Sequence, residues 1–181
     1  TMSDAFLDEL RETIRTIPDF PIDGIMFRDI SPVLSGAGLL TKVTDRFVED
    51  ITKLGWEPDV IVGPEARGFI FGPLLAERLG IGFVPVRKPG KLPAETRRIE
   101  YTLEYGSNVL EMHKDAISEG QKVVIIDDLL ATGGTISACA ELCQEAGGDV
   151  LGALFLIELD GLDARSAIAP IAAHALLEFP A

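Results

Sequence analysis

Residues 122–135, KVVIIDDLLATGGT, constrain the fold of this chain more than any other stretch. Val123, Val124, Ile125 and Ile126 make a run that is apolar on both faces. Such a run belongs in a strand covered on both sides, the usual situation in a parallel sheet. It stops at two adjacent carboxylates, Asp127 and Asp128, and a helical pattern over 134–146 begins just after Gly133. Gly133 and Gly134 let backbone N–H groups converge, and Thr132 and Thr135 add hydroxyl donors. The helix directs the positive end of its dipole at the same point. Together these make a cradle for a phosphate. No lysine follows the glycines, and the dinucleotide pattern GxGxxG is missing, so neither common nucleotide loop is present. The carboxylates call for donors, either adjacent sugar hydroxyls or the waters of a Mg²⁺ ion. A phosphorylated sugar satisfies the loop and the acids together. A tight strand-to-helix turn with two solvated aspartates uses the same residues, and the segment alone leaves both open.

The rest of the chain alternates in the same manner. Buried strands are predicted at 59–63, 81–88, 122–127 and 149–159, with a last one near 174–179. Helices are predicted at 39–54, 65–80 and 134–146, with a short one near 162–168. Strands alternating with helices imply an α/β fold, a central mostly parallel twisted sheet flanked by helices. Upstream, Phe6, Leu7, Leu10, Ile14 and Ile17 fall on one face of a helix predicted over 3–17, and IMFRDISPVL reads as extended. IEYTLEYG and SNVLEMH read as the two strands of a hairpin, with Glu100, Thr102 and Glu104 on one strand face. Ligands of such sheets bind beyond the carboxyl ends of the strands. Those ends are expected at Gly63, Arg87 and Asp127.

Charge narrows the partners. The 181 residues carry 29 acidic and 16 basic side chains, a formal net charge of −13. A chain this acidic repels a nucleic-acid backbone. It can hold a small polyanion only where a basic cluster or a metal ion overcomes that field, and Arg87, Lys88, Lys91, Arg97 and Arg98 cluster within RKPGKLPAETRR. No apolar run approaches the roughly 20 residues that cross a bilayer. The acidic, amphipathic opening TMSDAFLDEL fits neither a secretory signal nor a transit peptide. Cys139 and Cys143, four apart in a helical pattern, suit a buried helix face better than a disulfide or zinc site. The expectation is one domain over 1–181, cytoplasmic, with no nucleic-acid or membrane partner.

The stretches VVIIDDLLATGGT, IPDFPIDGIMFRDISPVL, GPEARGFIFGP, RKPGKLP and YTLEYG stand in an order and spacing that resemble the type I phosphoribosyltransferases, in particular the adenine-specific branch, from about residue 14 to 160. The resemblance implies the fold of that family, with an N-terminal hood over about 1–35 and a flexible β-hairpin flap over about 88–112. It implies transfer of 5-phosphoribosyl from phosphoribosyl diphosphate (PRPP) to adenine, giving AMP and pyrophosphate, with Mg²⁺ carried by PRPP and a homodimer as the assembly.

Site residues carry over position by position. Asp127 and Asp128 would hold the ribose hydroxyls, with Mg²⁺ reached through water. Ala131, Thr132, Gly133, Gly134 and Thr135 would hold the 5′-phosphate. Arg67, Arg87, Lys88 and Lys91 would take the pyrophosphate. Glu104, beside Tyr105, would be the acid–base group at the adenine ring. Phe27 would stack on the base while main-chain groups of Met26 and Arg28 read its edge. The family also places a non-proline cis peptide at the position of Glu65–Ala66. Some members have serine where this chain has Ala66 and arginine where it has Pro89, so this chain lacks that hydroxyl and that guanidinium.

Taken without the resemblance, Arg67 also fits a surface arginine at a helix start, RKPGKLPAETRR a solvated loop, Glu104 an exposed hairpin face and Phe27 ordinary core. His113 and His174 show no partner pattern. A 6-oxopurine or orotate transferase would share the phosphate loop, but PDFPIDGIMFRDISP and LEYG argue against it. A PRPP-sensing regulator would need a DNA-binding domain or a basic face, and a diphosphokinase an ATP loop. The sequence offers none of these.

Overall fold

The computed structural model describes residues 2–103 and 106–181. In chain order the elements are α1 (Met2–Thr13), β1 (Arg15–Pro18), β2 (Met26–Asp29), α2 (Ser31–Ser35), α3 (Leu39–Leu54), β3 (Val60–Pro64), α4 (Gly68–Leu79), β4 (Gly82–Val86), β5 (Thr96–Leu103), β6 (Gly106–His113), β7 (Lys122–Leu130), α5 (Gly134–Glu145), β8 (Asp149–Asp160), α6 (Ala164–Ile168) and β9 (Ala173–Pro180). Five strands form the central sheet in the order β4-β3-β7-β8-β9, all parallel. Two antiparallel hairpins, β1–β2 and β5–β6, stand outside it.

Strand alternation divides the core into two layers. Val123, Ile125 and Phe155 face α5, where they meet Cys139, Leu142 and Cys143. Val124, Ile126 and Leu154 face the other way, toward Phe47 of α3 and Phe71 of α4. Phe47 and Phe71 meet edge to face with centroids 6.3 Å apart, which couples the two helices. Each such fully buried side chain is worth about 1.5–3 kcal/mol. Both cysteines are free and buried on the inner face of α5, where burial pushes the Cys143 thiol up to about 12. No helix among the described residues is long and apolar enough to cross a membrane.

Three expectations need correction. α1 stops at Thr13, so Ile17 lies in β1, paired with Phe27, instead of on the helix. The β-branched residues Ile14, Thr16 and Ile17 favour extended backbone, and Pro18 disfavours helix at the residue before it. IMFRDISPVL is extended only through Asp29. Pro32 then sits in the first turn of α2, and Asp29 accepts the Ser31 N–H at 2.9 Å. Finally, β7 continues past Asp127 to Leu130, because its ladder with β8 runs on to the pair Leu130–Glu158. The two aspartates are therefore inside a strand, and Asp128 is only 7% exposed. The strand end is at Leu130 and not at Asp127.

The base of the β5–β6 hairpin packs against the sheet. Ile99, Leu110 and Met112 are buried in the α5 layer, and Arg87 and Glu111 exchange backbone hydrogen bonds that stitch β6 to the residue after β4.

Candidate active site

The cradle is laid down by β7 and α5. Between them, residues 131–133 turn through Gly133, whose φ of +90° belongs to the left-handed region. A side chain there would also crowd the Ala164 carbonyl at 3.1 Å and Ile168 at 3.0 Å. The first N–H groups of α5 have no partner within the helix and point into the turn. Arg67 and residues 127–136 enclose a cavity of about 180 Å³. Thus Asp127, Asp128, Ala131, Thr132, Gly133, Gly134, Thr135 and Arg67 come together as the sequence suggested.

Within β7 the two aspartates point to opposite faces. Asp127 shares the α5 face with Val123 and Ile125. Burial, and next the neighbouring Asp128 charge, push its carboxyl up to about 8, although it accepts the Asp128 N–H at 2.8 Å. Asp128 lies on the α4 side, where Arg67 Nε donates to its Oδ2 at 2.6 Å. Arg67 gets there because Gly63 and Gly68 let the end of β3 and the start of α4 approach β7. A Cβ on Gly68 would lie 3.0 Å from the Ile126 carbonyl oxygen. The Glu65–Ala66 peptide is cis, as expected.

A second cavity, of about 600 Å³, opens beside the first, against the β1–β2 hairpin and α2. Its walls are mostly apolar, with Met26, Phe27 and Arg28 of β2 on one side and Ile157 and Leu159 of β8 on another. Phe27 is braced edge to face by Phe20, centroids 5.0 Å apart. Arg67, Asp128 and Leu129 belong to both cavities, so the charged pair stands at their junction. A cleft that joins a turn lined by backbone amides to a mostly apolar cavity across one arginine–carboxylate pair suits a molecule with a phosphorylated sugar and an apolar-faced base.

Residues 34–175 match the family model described as the phosphoribosyl transferase domain. The chain belongs to that family. Adenine phosphoribosyltransferase of Caldanaerobacter subterraneus is 58% identical over 161 residues, covering 88% of this chain and 91% of that one. The solved adenine phosphoribosyltransferase of Thermoanaerobacter pseudethanolicus superposes with a TM-score of 0.92 at 53% identity, covering 96% and 99% of the two chains. The Saccharomyces cerevisiae enzyme, solved with an imino-altritol bisphosphate and adenine, also gives 0.92, at 41% identity and the same coverage.

In this phosphoribosyltransferase the remaining expected residues are less converged. Arg87, Lys88 and Lys91 line neither cavity. Arg87 Nε donates to Glu65 Oε1 at 3.2 Å, and its guanidinium lies 5.7 Å from the Phe69 ring centroid. The same Glu65 oxygen accepts the Lys88 N–H at 2.9 Å. That bond, helped by Arg87, holds the Glu65 carboxyl below its usual range against the opposing effect of burial. Lys88 and Lys91 side chains are exposed. Glu104 and Tyr105 lie outside the described residues.

Three residues were missed in the sequence. Glu111, buried in β6, accepts the Gly90 N–H at 2.8 Å and the Thr96 hydroxyl at 3.0 Å, so it fixes the loop that carries the lysines. Glu65 does the same at Lys88. Tyr101 packs beside Gly134, and its hydroxyl lies 3.3 Å from Thr135 Oγ1. Nothing local marks these residues, because each acts on a segment distant in sequence. His174, left unassigned, meets Asp50 at 2.6 Å, and Arg46 Nε donates to the other Asp50 oxygen at 3.0 Å. That cluster ties β9 to α3, away from both cavities.

Proposed function

We propose that the junction of the two cavities is where this chain carries out its family's chemistry, with each residue acting as follows. The chain transfers the 5-phosphoribosyl group of PRPP to adenine, giving AMP and pyrophosphate. The sharing of Arg67, Asp128 and Leu129 by both cavities supports the residue roles best. A nucleotide laid across the junction puts its 5′-phosphate on the amides of 131–135, its base in the apolar slot and C1′ beside Arg67. Asp127 and Asp128 accept hydrogen bonds from the ribose hydroxyls. Phe27 stacks on adenine while main-chain groups of Met26 and Arg28 read the 6-amino edge. A 6-oxo purine offers an acceptor where adenine offers a donor, which leaves a buried group unpaired.

In the reaction, the N9–C1′ bond forms on the face opposite the departing oxygen. The C1′–O bond breaks, and pyrophosphate leaves with the electron pair. Glu104 takes the proton from N9, with Tyr105 beside it. Arg67, Arg87, Lys88 and Lys91 neutralise the charge that grows on the leaving group. Glu65 and Glu111 hold the backbone that presents the last three. The protein's share is therefore positioning and electrostatics.

Among the described residues no group of three or more His, Cys, Asp or Glu converges. Asp128 is committed to Arg67. The family resemblance implies an ion that arrives with PRPP, which Asp127 and Asp128 would hold through its waters. Bound there, Mg²⁺ supplies positive charge to the diphosphate. A homodimer in the cytoplasm completes the reading, and free buried cysteines fit a reducing compartment.

A product assay tests the proposal. With PRPP and Mg²⁺ present, adenine should yield AMP, while hypoxanthine, guanine and orotate should yield no nucleotide. Comparable IMP, GMP or orotidylate would mean that the base half is misassigned. PRPP binding without product from any base would favour a sensor.

A further inference from the structure

β2 and β9 meet at a single guanidinium. Arg28 and Pro180 are 152 positions apart, yet Arg28 Nη2 donates to the Pro180 carbonyl at 2.9 Å. Its Nη1 donates to Thr16 Oγ1 at 2.7 Å, across the β1–β2 hairpin. The guanidinium carbon lies 4.9 Å from the centroid of the Phe179 ring. Arg28 Nε is buried with no hydrogen-bond partner among the described residues, which suits a group lodged against that ring. A second arginine comes to the same place from α1. The Arg11 guanidinium also lies 4.9 Å from the Phe179 centroid, and its Nη1 donates to the Glu178 carbonyl at 2.8 Å.

Two cations from two parts of the hood thus share one aromatic ring and the carbonyls on either side of it. Their mutual repulsion is opposed by the ring's negative face, by two carbonyl oxygens and by the acidic field of the chain. Phe179 is 8% exposed and packs in the sheet layer that holds Phe47 and Phe71. The ring is therefore a fixed point of the scaffold, and the hood is fastened to it. What Arg28 fastens is β2, whose neighbouring Phe27 and Met26 wall the apolar cavity. The hydroxyl of Thr16 carries the restraint to the other strand of the hairpin.

We infer that the Arg28 side chain and Phe179 are positioning residues for adenine, setting the depth and tilt of the base-binding strand relative to the sheet. The inference rests on the reading of β2 as the adenine-facing strand. A small displacement of a binding surface changes productive binding even when the displaced residue is distant from the chemistry. The phosphate cradle, built on β7 and α5, does not depend on this fastening. The signature is therefore a change confined to one substrate.

The test measures KM for adenine, KM for PRPP and melting temperature in Phe179→Leu, Arg28→Met, Phe179→Tyr and Phe27→Ala. Phe179→Leu and Arg28→Met should each raise the adenine KM on the order of tenfold and leave the PRPP KM within about twofold. Phe179→Tyr keeps the ring and should restore the adenine KM. If both substrates' KM values rise together, or Tyr rescues nothing, the residues are merely structural and the inference is overturned. Should Phe179→Leu not fold, Arg28→Met decides alone. Phe27→Ala separates the two levels. A raised adenine KM there, with none in Arg28→Met or Phe179→Leu, refutes the inference and leaves the base-site reading standing. An unchanged adenine KM in Phe27→Ala refutes that reading, and the inference with it.

Discussion

The smaller cavity is walled by Arg67 and one contiguous segment, 127–136, at the end of β7 and the start of α5, whereas the larger one is assembled mainly from β1, β2, α2, β7 and β8. The smaller cavity, the cradle, presents backbone amides and two carboxylates, Asp128 buried and Asp127 half-buried, whose places are set by a parallel strand and a helix start. The slot presents apolar side chains from a hairpin that hangs outside the sheet, with Ile22, Ile25 and Met26 left exposed around it. One half is made of backbone geometry, the other of packing and fastening. The difference teaches where each half should fail. The cradle half should fail by losing chemistry, and the slot half by losing affinity for one substrate.

Arg67 belongs to both cavities, so its loss should be the largest. Arg67→Gln should lower kcat by about 10²–10³-fold, the scale of removing a charge-stabilising group from a transition state. Steady-state rates over a matrix of PRPP and adenine concentrations check this. An effect on adenine KM alone would put Arg67 on the slot side only.

Glu111 sharpens the comparison on the pyrophosphate side. Glu111→Leu leaves the Gly90 N–H and the Thr96 hydroxyl without their side-chain acceptor and so frees the loop that carries the lysines. The PRPP KM should rise roughly tenfold with the adenine KM unmoved. Glu111→Gln keeps an acceptor for the Gly90 N–H and should stay near wild type. Equal behaviour of the two variants would contradict a positioning role.

Asp127 gives the smallest effect on stability and one of unusual sign. Burial and Asp128 raise its carboxyl to about 8 in the folded chain, against 3.8 for the free side chain. Below about pH 4 both states are protonated and nothing is lost. Between those values the unfolded chain ionises first, so folding stability falls as pH rises through the window. Asp127→Asn removes that penalty. Its ligand-free melting temperature should exceed wild type by roughly 2–4 °C at pH 8.5, the equivalent of about 1 kcal/mol, and match it near pH 4. Turnover should be largely lost throughout. A lower melting temperature at pH 8.5 would mean that the charge is welcome in the folded site.

Much of this was legible in the sequence because the information is local. The Val123–Ile126 run, the paired acids and the glycines specify strand, turn and helix start within fourteen residues, 122–135. The end of β7 was not legible, because Asp128, Leu129 and Leu130 stay in the strand only through their ladder and contacts with β8 and α4. α1 shows the reverse. A helical spacing continued through Ile17, but Pro18 and the β-branched run overrode it. Glu65, Glu111, Tyr101 and Phe179 carried no local sign, since each does its work on backbone or side chains far along the chain. Contacts of that kind are settled by topology.

The most direct test of the two-halves account is a crossed measurement of KM for PRPP and for adenine in Glu111→Leu and Phe27→Ala. The account predicts that Glu111→Leu raises only the PRPP value and Phe27→Ala only the adenine value. If either variant raises both to a similar extent, the cradle and the slot are one coupled unit and the account is wrong.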